Sequence, residues 1–255
     1  MSPVLITALV FAALFIAIIL IYISQQMERR KLERQRQKAE LTERVRRCAD
    51  LNEILPGQMM NPQLKLLMYK IELKLSERLR PLAPENTELV NRIDELVVLL
   101  GKGENVPVKN LPQSINTEHK AKEIRFLLEG LHGVITRAAR EHLITTAEAR
   151  HWVEEIRHMM VQLHIDFFTS IGQQLLQHEK PRQARLAFER AVQFLRRQAD
   201  QERYRLQLRD LARYLERAND LALEREPTED DHDELTAGLT QEEIDDPWRK
   251  KQVYD

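Results

Sequence analysis

The sequence predicts an all-α protein, and three observations carry that expectation. Only seven Gly occur in 255 residues. Apolar residues recur three and four apart along most of the chain, and no alternating run bounded by turns reads as a strand. Composition also excludes several classes. Cys48 is the sole cysteine, so a disulfide framework or a Cys-ligated zinc or iron–sulfur site has no ligand set. A net charge of −1 exerts no global pull on nucleic acid, so any basic surface must be local. No Gly-rich loop opens a helix and no Gly-x-Ser-x-Gly occurs, which leaves phosphate cradles and nucleophile elbows without their turns.

The 43% hydrophobic content is unevenly spread. Val4 to Ile23 is apolar at every position except Thr7, and the remainder is roughly 39% apolar, ordinary for a helical domain. A run of this length crosses a hydrocarbon core of about 30 Å, so residues 3–24 are expected to be a transmembrane helix. It lacks the basic n-region and small-x-small site of a cleaved signal. Nine cations, among them Arg29, Arg30, Lys31 and Arg34, follow it within residues 28–47 against four Glu. The positive-inside bias then puts the N-terminus out and everything after Ser24 in the cytoplasm of a cell membrane, expected to be a bacterial inner membrane. The same four cations are candidate contacts for anionic lipid.

No Gly or Pro interrupts the chain from Pro3 to Pro56, so the span is expected to continue as a basic helical stalk over residues 25–56. Leu41, Val45, Cys48, and then Leu51 or Leu55, form a short seam that would suit a short coiled coil and a homodimer. Pro56-Gly57 ends the stalk, and Asn61-Pro62 reads as an N-cap with Pro at the first helical position. From there a cytosolic helical domain is expected over residues 61–223. Its first helix, Pro62 to Leu79, turns Leu64, Leu67, Met68, Ile71, Leu75 and Leu79 inward. A second runs from about Glu85 to Leu100 with Leu89, Ile93, Leu96, Val97 and Leu100 inward, and residues 106–113 form a loop. A third spans Asn116 to His142 around Ile124, Leu128, Leu131 and Ile135. Thr145-Thr146-Ala147-Glu148 is a capping box that starts a fourth.

Over residues 165–198, Phe168, Ile171, Gly172, Leu175, Ala184, Phe188 and Ala191 fall at intervals that resemble one tetratricopeptide repeat. Two positions depart from that pattern, with Phe168 for the usual Trp and Arg196 for the terminal Pro. The resemblance implies two antiparallel helices in which Gly172 and Ala184 allow close approach, with Pro181 opening the second. It further implies a peptide-binding groove along the first helix, with Asp166, Thr169, Gln173 and Leu176 as its candidate residues. Beyond it, no Gly or Pro occurs from Arg182 to Glu226, so one long helix is expected. Its buried stripe shifts near Asp200, from Phe188, Val192 and Leu195 to Tyr204, Leu208, Leu211, Leu215 and Ala218.

Residues 182–217 carry ten Arg, a candidate nucleic-acid surface, though five interspersed acids favour a salt-bridged face. Four Glu-x-x-His pairs occur, three on expected helices and one in the tail without a helix, and Glu129, His132, Glu155 and His158 would be the ligands of a di-iron bundle. Solvated or structural His is the plainer reading, and no metal, cofactor or catalytic residue is expected. Residues 224–255 form an acidic tail expected to be disordered. Within it a capping box, Thr240 to Glu243, precedes Ile244, and Trp248, Arg249, Lys250 and Lys251 complete a candidate partner motif. The function these features imply is a single-pass, membrane-anchored helical adaptor or scaffold that recruits a protein partner. The alternatives are a membrane-tethered nucleic-acid binder and a di-iron enzyme.

Overall fold

The computed structural model describes residues 3–224, with side chains at Tyr22 and from Gln25 onward. Seven α-helices and no strand occur among the described residues: α1 (Pro3–Ile54), α2 (Pro62–Leu79), α3 (Thr87–Gly101), α4 (Glu118–Arg140), α5 (Thr146–Gln177), α6 (Pro181–Arg196) and α7 (Arg205–Leu223). Among the described residues, no helix is long and apolar enough to cross a membrane. The expected span lies in the first turns of α1, and its side chains other than Tyr22 fall outside that description. The chain divides into two compact units. The first runs to Pro112 and adds Gly133–Arg150; the second joins Gln113–His132 to His151 and beyond.

In the first unit α1 ends where the chain reaches Pro56, and its last turns are core rather than stalk. Cys48, Leu51 and Leu55 are buried, and Leu41 and Val45 pack on the cluster of Leu79, Ala83, Leu89 and Ile93. The seam expected to pair two copies in a coiled coil is therefore covered by α2 and α3 of the same chain, because residues within one chain meet at far higher effective concentration. The exposed stalk is correspondingly shorter, residues 25–40. The last carbonyls of α1 lack helical partners. The Asn110 side chain supplies them, donating to the carbonyls of Asn52 (3.1 Å), Glu53 (3.1 Å) and Leu55 (2.8 Å). It also accepts from Lys65 Nζ at 2.7 Å. Gly57 makes room for this arrangement: a Cβ there would meet the Asn110 carbonyl oxygen at 2.3 Å.

The helix starts follow their caps. Asn61 accepts from Leu64 N (2.7 Å), Asn86 from Leu89 N (3.1 Å), and Thr145 and Glu148 form the expected reciprocal box. Asn86 accordingly sets the start of α3 at Thr87 rather than Glu85. Val97 is 54% exposed, so the inward face of α3 is Leu89, Ile93, Leu96 and the half-buried Leu100 without it. α4 closes with His142 at φ 57°, its N–H on Ala139 O, and Leu143 N on Ala138 O at 2.8 Å. That 6→1 and 5→2 pattern is a Schellman turn held by a residue with a side chain where Gly is usual. Glu72, 1% exposed on α2, receives Arg92 of α3 through Nε at 2.7 Å and Nη2 at 3.2 Å. Burial pushes the Glu72 carboxyl up, and the Arg92 hydrogen bonds hold it partly down.

The capping-box helix and the first helix of the hairpin are one element, α5, whose residues from His151 on belong to the second unit. It ends in a second Schellman turn with Glu179 at φ 59° and Lys180 N on Leu175 O at 2.8 Å, and Pro181 opens α6. Gly172 lies against the buried Phe188 ring, where a Cβ would come within 2.5 Å of Cε1 and Cζ. The single long helix expected after Arg182 is instead two. α6 stops at Arg196, residues 197–204 turn the chain, and α7 packs back on α6 with Tyr214 stacked on Phe188 at 5.5 Å. The turn needs neither Gly nor Pro because side-chain amides cap it: Gln201 donates to Arg196 O (2.8 Å) and Gln198 to Phe194 O (3.2 Å). Folding back lets two stripes that are out of phase on one helix both be buried.

Two substitutions at helical glycines are expected to have opposite signs. Gly133→Ala, with open space at its Cβ, raises stability by about 1 kcal/mol through helix propensity. Gly172→Ala lowers it by about 1 kcal/mol, because overpacking against Phe188 at about 2 kcal/mol outweighs the same gain. Arg92→Met strands the Glu72 carboxylate and lowers stability by about 3 kcal/mol near pH 7. A carboxyl raised by burial destabilises once ionised, so the deficit relative to the unsubstituted chain narrows as pH falls toward 4.5. Urea unfolding across pH checks all three; an Arg92→Met deficit that is flat in pH refutes the assignment.

Candidate functional site

The first unit contains a basic cleft built around one carboxylate. Glu141, just past the end of α4, accepts from Arg44 of α1 at 2.9 Å, from Arg78 of α2 at 3.1 Å and from Arg137 of its own helix at 3.1 Å. Arg78 also donates to the Glu141 carbonyl, and Arg137 pairs with Glu40 on α1. Burial acts to raise the Glu141 carboxyl, but the Arg44 and Arg137 hydrogen bonds prevail and hold it below its ordinary value. Beside this node, Arg44, Arg47 and Arg137 rim a cleft of about 210 Å3 whose apolar lining is Ile71, Leu75, Gly133 and Val134. Ile71 and Leu75 belong to the core and form the floor of the cleft. Arg47 is exposed and forms no ion pair among the described residues. Four guanidinium groups thus face two carboxylates. The arrangement can take an anionic ligand that also presents an apolar group.

Sequence reasoning placed Arg44 and Arg47 only in the juxtamembrane basic run and did not single out Arg137. A signal existed: Arg44 and Arg47 interleave with Leu41, Val45 and Cys48 at helical spacing, which puts cations at the edge of a buried stripe.

In the second unit, Asp166, Thr169, Gln173 and Leu176 lie at spacings of three and four and so form one strip along α5. Gln173 is exposed and the others are half-buried. Gln162 donates to Asp166 at 2.7 Å, and burial nevertheless raises the Asp166 carboxyl. On the same helix His164 stacks between Phe194 (3.9 Å) and Phe168 (4.6 Å). Burial, then the Arg125 charge, depresses its imidazole to about 4, so it is neutral at pH 7.

The ten Arg of residues 182–217 are divided among α6, the turn and α7, and many are paired. Arg185 meets Glu189 (3.5 Å), Arg213 meets Asp210 (2.5 Å), and Arg203 grips both oxygens of Glu155 at 3.0 and 3.1 Å. Arg29, Arg30, Lys31 and Arg34 are exposed on the stalk. The tail motif of Ile244, Trp248, Arg249, Lys250 and Lys251 lies outside the described residues.

The Glu-x-x-His residues do not converge. Glu129 pairs with Arg125 at 3.3 Å, Glu155 with Arg203, and the His158 ring with the Tyr204 hydroxyl. Among the described residues no group of three or more His, Cys, Asp or Glu is placed to hold a metal ion. The Cys48 thiol is buried, lies 3.4 Å from the Met68 carbonyl, and is pushed strongly up by burial, so it is a core group rather than a nucleophile. No family model, no curated protein and no solved structure matches the chain.

Glu141 and Glu148 set an acid limit on the first unit. The Lys70 hydrogen bond, then the Thr145 backbone N–H, lower the Glu148 carboxyl from 4.5 to about 2. A carboxyl depressed by folding adds stability above its unfolded value and loses it as pH falls through the folded value. Stability is therefore expected to drop between pH 4.5 and about 2. Glu141→Gln should cost about 2 kcal/mol at pH 7 and shallow this acid limb, read by thermal unfolding against pH. An unchanged limb would remove Glu141 from the node.

Proposed function

We propose that the protein is a single-pass membrane-anchored adaptor whose cytosolic helical units hold a protein partner near the bilayer. In this reading residues 3–24 span a bacterial inner membrane, with the N-terminus out. The carrying observation is that α1 is one helix of 52 residues, bearing the apolar run at one end and core residues Cys48 and Leu51 at the other. An anchor at that position would be rigidly joined to the first unit. The exposed stretch of residues 25–40 would then set a spacing of about 24 Å. Arg29, Arg30, Lys31 and Arg34 lie on the first exposed turns of that stalk, where anionic headgroups would meet them.

The capture surface in this reading is the strip Asp166, Thr169, Gln173 and Leu176 on the α5–α6 hairpin, taken as tetratricopeptide-like. The contact of Gly172 with Phe188 and the start of α6 at Pro181 support that likeness. Confinement to a surface raises the encounter rate with other membrane-bound components without requiring tight binding.

The full chain is expected in the membrane fraction after alkaline carbonate washing, and Ser2→Cys is expected to react with an impermeant maleimide from outside intact cells. Recovery of the full chain from the wash supernatant defeats the anchor. A partner crosslinked in cells should be lost with Gln173→Arg, an exposed position whose change leaves the fold intact; retention of every crosslink defeats the strip.

A further inference from the structure

The arginine cleft of the first unit faces solvent with more cation than its own carboxylates neutralise. Its rim is Arg44, Arg47 and Arg137, its base is Ile71, Leu75 and Val134, and Arg47 has no ion pair among the described residues. That the rim accepts carboxylate is already visible within the chain, since Arg44 and Arg137 both hold Glu141. The matching ligand is an apolar side chain set among closely spaced acids. A segment of the chain itself has that composition: Glu242, Glu243, Ile244, Asp245 and Asp246 lie in the tail beyond the described residues. Eighteen residue steps separate Glu224 from Glu242, a reach of about 60 Å when extended.

We propose that this cleft is the receptor for the chain's own acidic tail, with Ile244 on the apolar base and the flanking carboxylates paired to Arg47 and the neighbouring guanidinium groups. Tail occupancy closes the cleft to other acidic partners and makes its opening dependent on ionic strength, because the contact is largely between exposed charges. The proposal goes beyond the adaptor reading and does not rest on membrane anchoring, since both cleft and ligand belong to this chain.

The test is photocrosslinking of the full chain, solubilised in mild detergent, with a benzophenone amino acid in place of Ile244. Crosslinks are expected to peptides containing residues 71–75 and 133–137. Arg47→Glu, at an exposed and unpaired side chain, should lower their yield about fivefold, as expected for one surface ion pair turned to repulsion. Glu40→Gln should raise the yield by releasing Arg137, and Arg209→Glu on α7 should leave it unchanged. Crosslinks falling instead on residues 182–217, crosslinks only to other proteins, no crosslink at all, or a yield unmoved by Arg47→Glu would each overturn the proposal.

Discussion

Burial of the last turns of α1 is the constraint on which the first unit depends. Cys48, Leu51 and Leu55 are core residues, and removing them from water contributes on the order of 2 kcal/mol each. That burial leaves carbonyls at the end of α1 partly buried, where unpaired acceptors are costly. Asn110 meets the need from a loop more than fifty residues away, and Lys65 holds the Asn110 oxygen in turn. Close approach of this loop is the reason Gly occupies position 57. One hydrophobic commitment thus dictates a cap, a loop path and a glycine.

The electrostatics follow from the same packing. Once α1 lies on α2 beside the last turns of α4, Arg44, Arg78 and Arg137 converge at their shared edge. Glu141 is the carboxylate that makes this convergence tolerable. The node is oversupplied with cation, and the surplus emerges at Arg47 on the rim of the cleft. A structural ion-pair cluster and a ligand-ready cleft are consequences of one arrangement. The second unit handles its charges differently: its Arg side chains mostly meet acids nearby on the same helix or across the hairpin, as Arg213 with Asp210 and Arg203 with Glu155.

Legibility in the sequence tracked the range of the interaction. Asn61 before Pro62, the Thr145–Glu148 box and Pro181 act within one helical turn, and each starts a helix where the spacing predicts. The inward face of α2 was equally readable, because six apolar residues fall on one face at helical spacing, although Leu66, Tyr69 and Leu73 form a second stripe packed with Leu96 and Val106. The turn at residues 197–204 was hidden, since Gln198 and Gln201, rather than Gly or Pro, cap the last carbonyls of α6. The seam of α1 misled for a related reason. Its periodicity shows that it is buried, but the same periodicity suits a second copy or a helix of the same chain. Of the candidate site, Arg44 and Arg47 were visible as charges, whereas their meeting with Arg137 ninety residues later was not.

By itself the sequence determined the all-α class, most helix starts, the apolar run near the N-terminus and the separation of basic from acidic blocks. These are properties of local spacing and composition, which a linear chain carries openly. The tertiary structure decided which stripe meets which, that the end of α1 serves as core, that residues 182–223 form a hairpin, and that three arginines from two helices rim one cleft. Those outcomes depend on contacts between residues tens of positions apart, whose energies exist only when the chain has brought them together.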